Sequence, residues 1–87
     1  MYDWEAKVLA VSDRKLTLSQ LKLKGCKEEY ASHLNLSMHR LNCTSIEGFR
    51  KGMHVFFSAR PGYYVTEGVR RGTIDQSEAF TINIKNQ

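Results

Sequence analysis

The stretch LTLSQLKLK (residues 16–24) decides the fold predicted for this chain. Leu16 and Leu18 lie on one face of a regular strand, whereas Leu21 and the next leucine lie on the other face, because side chains alternate with a period of two. A strand changes this parity only where an extra residue is inserted, so the pattern predicts a β-bulge near Ser19–Gln20. Bulges let a strand coil enough to belong to two sides of a barrel.

Further segments with the length and composition of strands surround this one. They lie at residues 4–11, 33–42, 54–59, 63–69 and 79–85. Pro61–Gly62 predicts a type II turn, because proline fixes φ at the first central position and glycine takes a positive φ at the second. Short strands separated by turn signals at about ten-residue intervals predict an all-β barrel or sandwich.

The segment at 33–42 has a second interpretation. Leu34, Leu36 and Met38 alternate as in a strand, whereas Leu34, Met38 and Leu41 continue a helical spacing that begins at Tyr30. We interpret 33–42 as a strand and 27–32 as a loop or a short turn of helix. A helix over residues 28–41 is the alternative.

The segment CTSIEGFRKGM (residues 43–53) is predicted to be a connector that contains a short helical turn. Thr44 or Ser45 is the expected N-cap, and Glu47 lies near the position at which a capping box has its acidic residue. Gly52 is expected to end the turn.

Length and composition predict one domain, residues 1–87, with a single core, since 41% of the residues are hydrophobic. No apolar run approaches the roughly 20 residues that cross a bilayer. The start MYDWEAKV has no basic region followed by an apolar stretch, so we expect a cytoplasmic protein without a membrane partner. Cys26 and Cys43 are expected to be free thiols, with a disulfide between them as the alternative.

Positive charge is concentrated in parts of the chain, whose net charge is +4 at pH 7. Residues 49–72 contain five basic residues and one acidic residue, and residues 14–27 contain five basic residues and no acidic one. Clustered positive charge attracts polyanions and favours a nucleic-acid partner. A solvated surface without a ligand is the alternative interpretation.

The order of the segments resembles the OB-fold, a five-stranded barrel in which the connector after the third strand closes one end. SIEGFRKGMHVFFSARPGYYVTEGV (residues 45–69) is similar to the second half of the small periplasmic copper-carrier barrels. In those proteins a hydrophobic connector precedes a Lys-x-Gly-x-x-Val motif, an aromatic strand and a hairpin. The resemblance implies a five- to six-stranded, OB-like, closed or partly open barrel with a short helical connector.

The copper ligands of those carriers are not carried over to this sequence. The carriers bind copper through an M-x-M pair, a tryptophan over the metal and an upstream histidine. In HLNLSMHRL (residues 33–41), Met38 is present, Leu36 stands at the other methionine position, and no tryptophan is near. The resemblance therefore implies the fold alone, and a metal carrier is the third of the functions considered.

Metal ligands and catalytic groups do not form a recognisable motif. Cys26, His33, His39 and Cys43 lack the close pairs of structural zinc sites, and on a strand the two histidines lie about 20 Å apart. The sequence has no nucleophile elbow, no phosphate-binding glycine loop and no pair of acidic residues in an apolar setting. We predict a protein that is not an enzyme and has no catalytic residues, metal or cofactor.

A binding site for single-stranded DNA or RNA is predicted on the outward face of the second and third strands and on the hairpin. Basic side chains there bind phosphate, and aromatic side chains stack on bases. The predicted site residues are Lys22, Lys24, His33, His39, Arg60, Tyr63, Tyr64, Arg70 and Arg71. Because Tyr63 and Tyr64 are adjacent, we expect one to point inward and one to stack. Tyr30 and Phe56 are further candidates, with a core role as the alternative.

A protein-interaction or assembly module is the competing hypothesis, including an accessory protein of a phage or mobile element. FTINIK (residues 80–85) has high β-propensity and little charge. An exposed edge strand of this kind pairs readily with another chain, which predicts a homodimer or a docked partner. The same segment is equally suited to completing the barrel.

Overall fold

The computed structural model describes residues 2–12, 14–37, 48–76 and 81–84. These residues form strands and no helix. The strands are β1 (Tyr2–Val11), β2 (Lys15–Leu23), β3 (Ala31–Ser37), β4 (His54–Ala59), β5 (Pro61–Thr66), β6 (Val69–Ile74) and β7 (Asn83–Ile84). The all-β prediction is confirmed. Nowhere in these ranges is there a helix that is long and apolar enough to cross a membrane.

The strands form two antiparallel sheets. The larger sheet has the order β3-β2-β1-β4-β7, and β5 and β6 form a separate two-stranded sheet. The prediction of a closed barrel is therefore wrong for the described residues. β3 and β6 contact each other but belong to different sheets. The ring of Tyr30, just before β3, packs against Gly72 of β6, so side-chain packing joins the sheets there.

The bulge predicted in β2 is confirmed. The pairing of β1 with β2 shifts where β2 has an extra residue, and Gln20 at that point has φ +54°. Leu18 and Leu21, on either side of the shift, are both fully buried. The extra residue thus keeps leucines of opposite parity in one core.

A second register shift lies between Val8 and Ala10 of β1. Trp4, Ala6 and Val8 are buried, but Ala10 is exposed. Ala10 does not continue the buried row, because the shift changes the parity of the strand at this point.

The core lies on one face of the larger sheet and is completed by residues from the hairpin and the C-terminal segment. In β4, Val55 and Phe57 are buried and Phe56 is 43% exposed, which is the alternation of a strand with one buried face. The buried Trp4 indole Nε1–H donates a hydrogen bond of 3.0 Å to the Ala59 carbonyl oxygen. The buried residues are Trp4, Ala6, Val8, Leu16, Leu18, Leu21, Leu34, Leu36, Val55, Phe57, Ala59, Ile74 and Ile82.

The helical turn predicted within residues 43–53 is not seen in the part that is described. Residues 48–53 form turns that are bonded to β1. The Gly52 amide donates to the Val8 carbonyl at 2.8 Å, and the Val8 amide donates to the Met53 carbonyl at 2.9 Å. The proposed capping residues at positions 44, 45 and 47 lie outside the described residues.

The strand interpretation of residues 33–42 is confirmed as far as the structure describes them. β3 spans Ala31–Ser37 and begins two residues earlier than expected, and residues 38–42 lie outside the described residues. At the C-terminus, Ile84 pairs with Val55 of β4. Ile82 is buried, whereas Ile84 is 37% exposed although it lies opposite the buried Val55.

The turn predicted at Pro61–Gly62 is wrong, because both residues lie in β5. The hairpin instead turns at Glu67–Gly68, where φ is +52° and +74°. Positive φ at both central residues is typical of a type I′ turn, whose twist matches that of paired strands. Gly62 permits a close approach, since a Cβ there would lie 3.1 Å from the Asp75 amide nitrogen.

We expect Gln20→Gly to leave the free energy of unfolding unchanged or to raise it by up to about 1 kcal/mol. The φ of +54° strains a residue with a Cβ, and glycine releases that strain at an entropic cost of about 0.5–1 kcal/mol. The matched control is Ser19→Gly, which has no strain to release and should lose about 0.5–1 kcal/mol. Urea unfolding measures both variants, and equal losses would contradict the strained bulge.

We expect Gly72→Ala to lower the free energy of unfolding by about 1–3 kcal/mol, because its methyl group overpacks the site. A Cβ at this position would lie 2.8 Å from Cζ of Tyr30. In a Tyr30→Leu background the ring is absent, so the same substitution should cost much less. Urea unfolding of the four proteins gives the coupling, and an equal loss in both backgrounds would refute the contact.

Candidate functional site

The hairpin formed by β5 and β6 projects beyond the core. Tyr63, Tyr64 and Val65 are 59%, 50% and 63% exposed, and Ile74 is the buried residue of β6. The prediction that one of the two tyrosines points inward is wrong, because at least half of each side chain is exposed. Both rings are accessible to a ligand.

The pairing of β5 with β6 assigns these side chains to two faces. Tyr63 lies opposite Gly72, and Tyr64 lies opposite Arg71. Since directly paired residues share a face, Tyr63 and Arg70 lie on one face, and Tyr64 and Arg71 lie on the other. Each face therefore combines one phenol ring with one guanidinium group.

Arg70 makes a cation–π contact on the first of these faces. Its Cζ atom lies 3.7 Å from the centroid of the Tyr63 ring. A guanidinium at this distance is attracted to the negative face of the ring, an interaction worth about 0.5–1 kcal/mol at an exposed site. Its nitrogens remain available as hydrogen-bond donors to an anion.

Tyr30 anchors the hairpin to the larger sheet. Its hydroxyl donates a hydrogen bond of 3.1 Å to the Gly62 carbonyl oxygen. Its ring lies 5.0 Å from the Trp4 ring, tilted by 59°. Tyr30 is 38% exposed, but these contacts and the ring packing on Gly72 give it a positioning role. These contacts favour the core role that was the alternative to stacking for Tyr30.

Two open grooves flank the hairpin. The Tyr63 groove is lined by residues 30, 61–63 and 70–72 and has a volume of about 360 Å³. The Tyr64 groove is lined by residues 30–33, 64 and 69–72 and has a volume of about 370 Å³. Both volumes lie in the range of small-ligand sites. Among the described residues, both grooves are lined by Arg70 and Arg71 and neither by an acidic side chain.

The structure brings together part of the predicted site. His33, on β3, lines the Tyr64 groove, so it lies beside Tyr64, Arg70 and Arg71. Tyr63 lines the other groove with both arginines. These residues are separated by up to 38 positions in the sequence, and the contact between β3 and β6 is what unites them.

The remaining predicted site residues lie elsewhere. Lys22 is half-buried opposite Glu5 and lines a separate cleft of about 120 Å³. Lys24 is exposed just after β2, and Arg60 is exposed between β4 and β5; neither lines a groove at the hairpin. His39 lies outside the described residues. Phe56 is on the outer face of β4 and also lines neither groove.

The described histidine and cysteine side chains do not converge. His33 has its Nδ1 atom 3.1 Å from the Ser32 hydroxyl oxygen, and Cys26 is an exposed thiol. Within residues 2–12, 14–37, 48–76 and 81–84, no group of three histidine, cysteine or acidic residues is placed to hold a metal ion. Residues 39 and 43 of the metal hypothesis lie outside these ranges.

Comparison with known proteins gives no match: no protein-family model, no curated protein and no solved structure is significantly similar to the chain. No function is therefore transferred from a relative. The chemistry of the two grooves carries the functional argument.

We expect the Tyr63–Arg70 contact to stabilise the hairpin only weakly. Tyr63→Leu, Arg70→Gln and the double variant form a cycle whose coupling free energy should be about 0.5–1 kcal/mol, since the ring is largely exposed. Thermal and urea unfolding measure the cycle. A coupling of several kcal/mol would mean that this pair is chiefly structural.

Proposed function

We propose that this protein binds single-stranded nucleic acid, DNA or RNA, through the two grooves of the β5–β6 hairpin, without catalysing a reaction. The observation that carries the proposal is the pairing of an exposed tyrosine with an arginine on each face of a projecting hairpin. Stacking platforms next to cationic donors are the combination that binds a flexible polyanion with exposed bases.

Electrostatics supports a polyanionic ligand. Arg70 and Arg71 both line both grooves, and no acidic residue lines either groove in the described part of the chain. Glu67, the acidic residue of the hairpin, lies at the turn. A phosphate near the grooves therefore meets uncompensated guanidinium groups, which also supply several donors each.

Stacking favours a single strand over a duplex. Tyr63 and Tyr64 expose their rings, and a base can lie on such a ring only when its own face is free. Bases in a duplex are stacked on their neighbours and present their edges. Each stacked base contributes about 1–3 kcal/mol in single-strand binding proteins, with little dependence on sequence.

The strand arrangement is compatible with a partly open, OB-like barrel, which we include in the proposal. β1 lies between β2 and β4, β2 pairs with β3, and β5 continues from β4 after Arg60 alone. β6 pairs with β5 and also contacts β3. Each strand therefore has its neighbour in a ring of strands that begins and ends at β3. OB-folds bind oligonucleotides on the face of the second and third strands and the flanking loops. Of these strands, β3 contributes His33 to the Tyr64 groove.

We expect Arg70→Glu combined with Arg71→Glu to abolish binding to a fluorescent single-stranded oligonucleotide at 50 mM salt, a concentration chosen because phosphate contacts are strong there. For the native protein, the slope of log K against log salt should be about −0.7 for each phosphate neutralised. Fluorescence anisotropy at several salt concentrations measures both quantities. Adding Arg60→Glu, outside the grooves, should have a smaller further effect.

The matched control reverses the same number of charges elsewhere. Arg14 precedes β2 and Lys51 lies in the turn before β4, and both are exposed. Arg14→Glu combined with Lys51→Glu changes the net charge equally but should retain most of the affinity. All variants should keep nearly the native thermal midpoint. Absence of oligonucleotide binding by the native protein at 50 mM salt would end the proposal.

An edge-paired homodimer is the second candidate. β7 forms one edge of the larger sheet, and Ile84 of β7 and Phe56 of β4 are exposed. An edge of this kind is suited to adding a strand from another chain. Light scattering distinguishes the two functions, because an apolar, edge-paired dimer persists at high salt whereas binding to a polyanion weakens steeply.

A further inference from the structure

β6 has one edge bonded to β5 and one edge to which no described strand is paired. The Asp75 amide donates to the Arg60 carbonyl at 2.9 Å, which fixes the alternation of the antiparallel ladder. Because residues of an antiparallel strand alternate between bonding to the partner strand and pointing away from it, Thr73 and Arg71 also direct their N–H and C=O groups towards β5. The amides of Arg70 and Gly72 therefore point towards the open edge.

The two grooves meet at this open edge. Both are lined by Tyr30 and by residues 70–72 of β6, whereas β5 contributes different residues to each groove. A ligand that occupies both grooves must consequently pass over β6. On that path it meets backbone donors of an edge strand, flanked by the side chains of Arg70 and Arg71, which lie on opposite faces.

The aromatic rings stand on either side of this path. Tyr63 and Tyr64 are consecutive residues, so their side chains lie on opposite faces of the hairpin. Each ring has an arginine on its own face, Arg70 with Tyr63 and Arg71 with Tyr64. The arrangement repeats the same pair of chemical groups on both sides of one edge.

We propose that a bound single strand crosses the open edge of β6 and places two neighbouring bases on opposite faces of the hairpin. One base stacks on Tyr63 and the next on Tyr64, and the phosphate between them lies at the edge near the Arg70 amide and the two guanidinium groups. This inference rests on the proposed function and specifies how its site is used. The smallest ligand that fills the site is a dinucleotide.

A geometric consequence follows for the ligand. Neighbouring bases on opposite faces of a β-hairpin cannot stack on each other. A duplex can adopt this arrangement only after local unpairing, so the site should discriminate strongly against double-stranded competitors. A site that used only one face would leave neighbouring bases stacked.

The first measurement is the affinity for a fluorescent oligothymidylate, by anisotropy. Tyr63→Leu and Tyr64→Leu should each weaken binding roughly 5- to 150-fold, which is the range for loss of one stacked base. Tyr2→Leu is the matched control, because Tyr2 is 55% exposed on β1 and lines neither groove. It should leave the affinity unchanged.

The second measurement reports base separation directly. An oligonucleotide with two adjacent 2-aminopurines shows an exciton-coupled circular dichroism band that disappears when these two bases cease to stack on each other. The native protein should abolish this band on saturation. Saturating amounts of the Tyr64→Leu or Tyr63→Leu protein should reduce the band less, since one of the two faces then holds no base.

The outcomes separate this inference from the proposed function. If the native protein binds oligonucleotides but either tyrosine variant has native affinity, or the exciton-coupled band persists at saturation, the proposed path across the edge of β6 is wrong and the proposed function remains. If the native protein binds no oligonucleotide, both are wrong. Tyrosine-dependent binding to phosphatidylserine vesicles in place of oligonucleotides would also overturn both, and would identify the hairpin as a membrane-surface contact.

Discussion

The packing of the Tyr30 ring on Gly72 is the contact on which the arrangement of the two sheets depends. It joins the start of β3 to the middle of β6 where no backbone ladder connects them. The phenol hydroxyl bonds to Gly62, and the ring touches the buried Trp4, so one side chain links the core to both strands of the hairpin. The grooves exist because this link holds the hairpin against the start of β3.

The larger sheet was predictable from local pattern. The parity change between Leu18 and Leu21 requires an inserted residue wherever both leucines are buried, and Gln20 provides it. The hairpin turn was mispredicted because Pro61–Gly62 and Glu67–Gly68 both carry turn signals. The twist of paired strands favours the second, and proline is tolerated at the first residue of a strand. The sequence overestimated closure of the barrel. The spacing of apolar residues along a strand shows which face is buried, but it does not show which edges of the sheets meet.

The candidate site was partly predictable for a related reason. Charge and aromatic content identified Tyr63, Tyr64, Arg70 and Arg71, which are close in sequence and lie on one hairpin. His33 joined them only through a long-range contact, whereas Lys22 of β2 lines a different cleft. The exposure of both tyrosines could not be read from alternation, since alternation assigns faces but does not say whether anything covers them.

The contact between Arg70 and Tyr63 lowers the conformational entropy that the Arg70 side chain would lose on binding an anion. A long, flexible side chain normally loses about 0.5–1.5 kcal/mol of conformational freedom when a ligand immobilises it. Here the guanidinium already lies over the ring in the folded protein, so part of that entropy is lost at folding. The hairpin is in this sense preorganised, and in the proposed complex the phosphate would require little rearrangement of this cation.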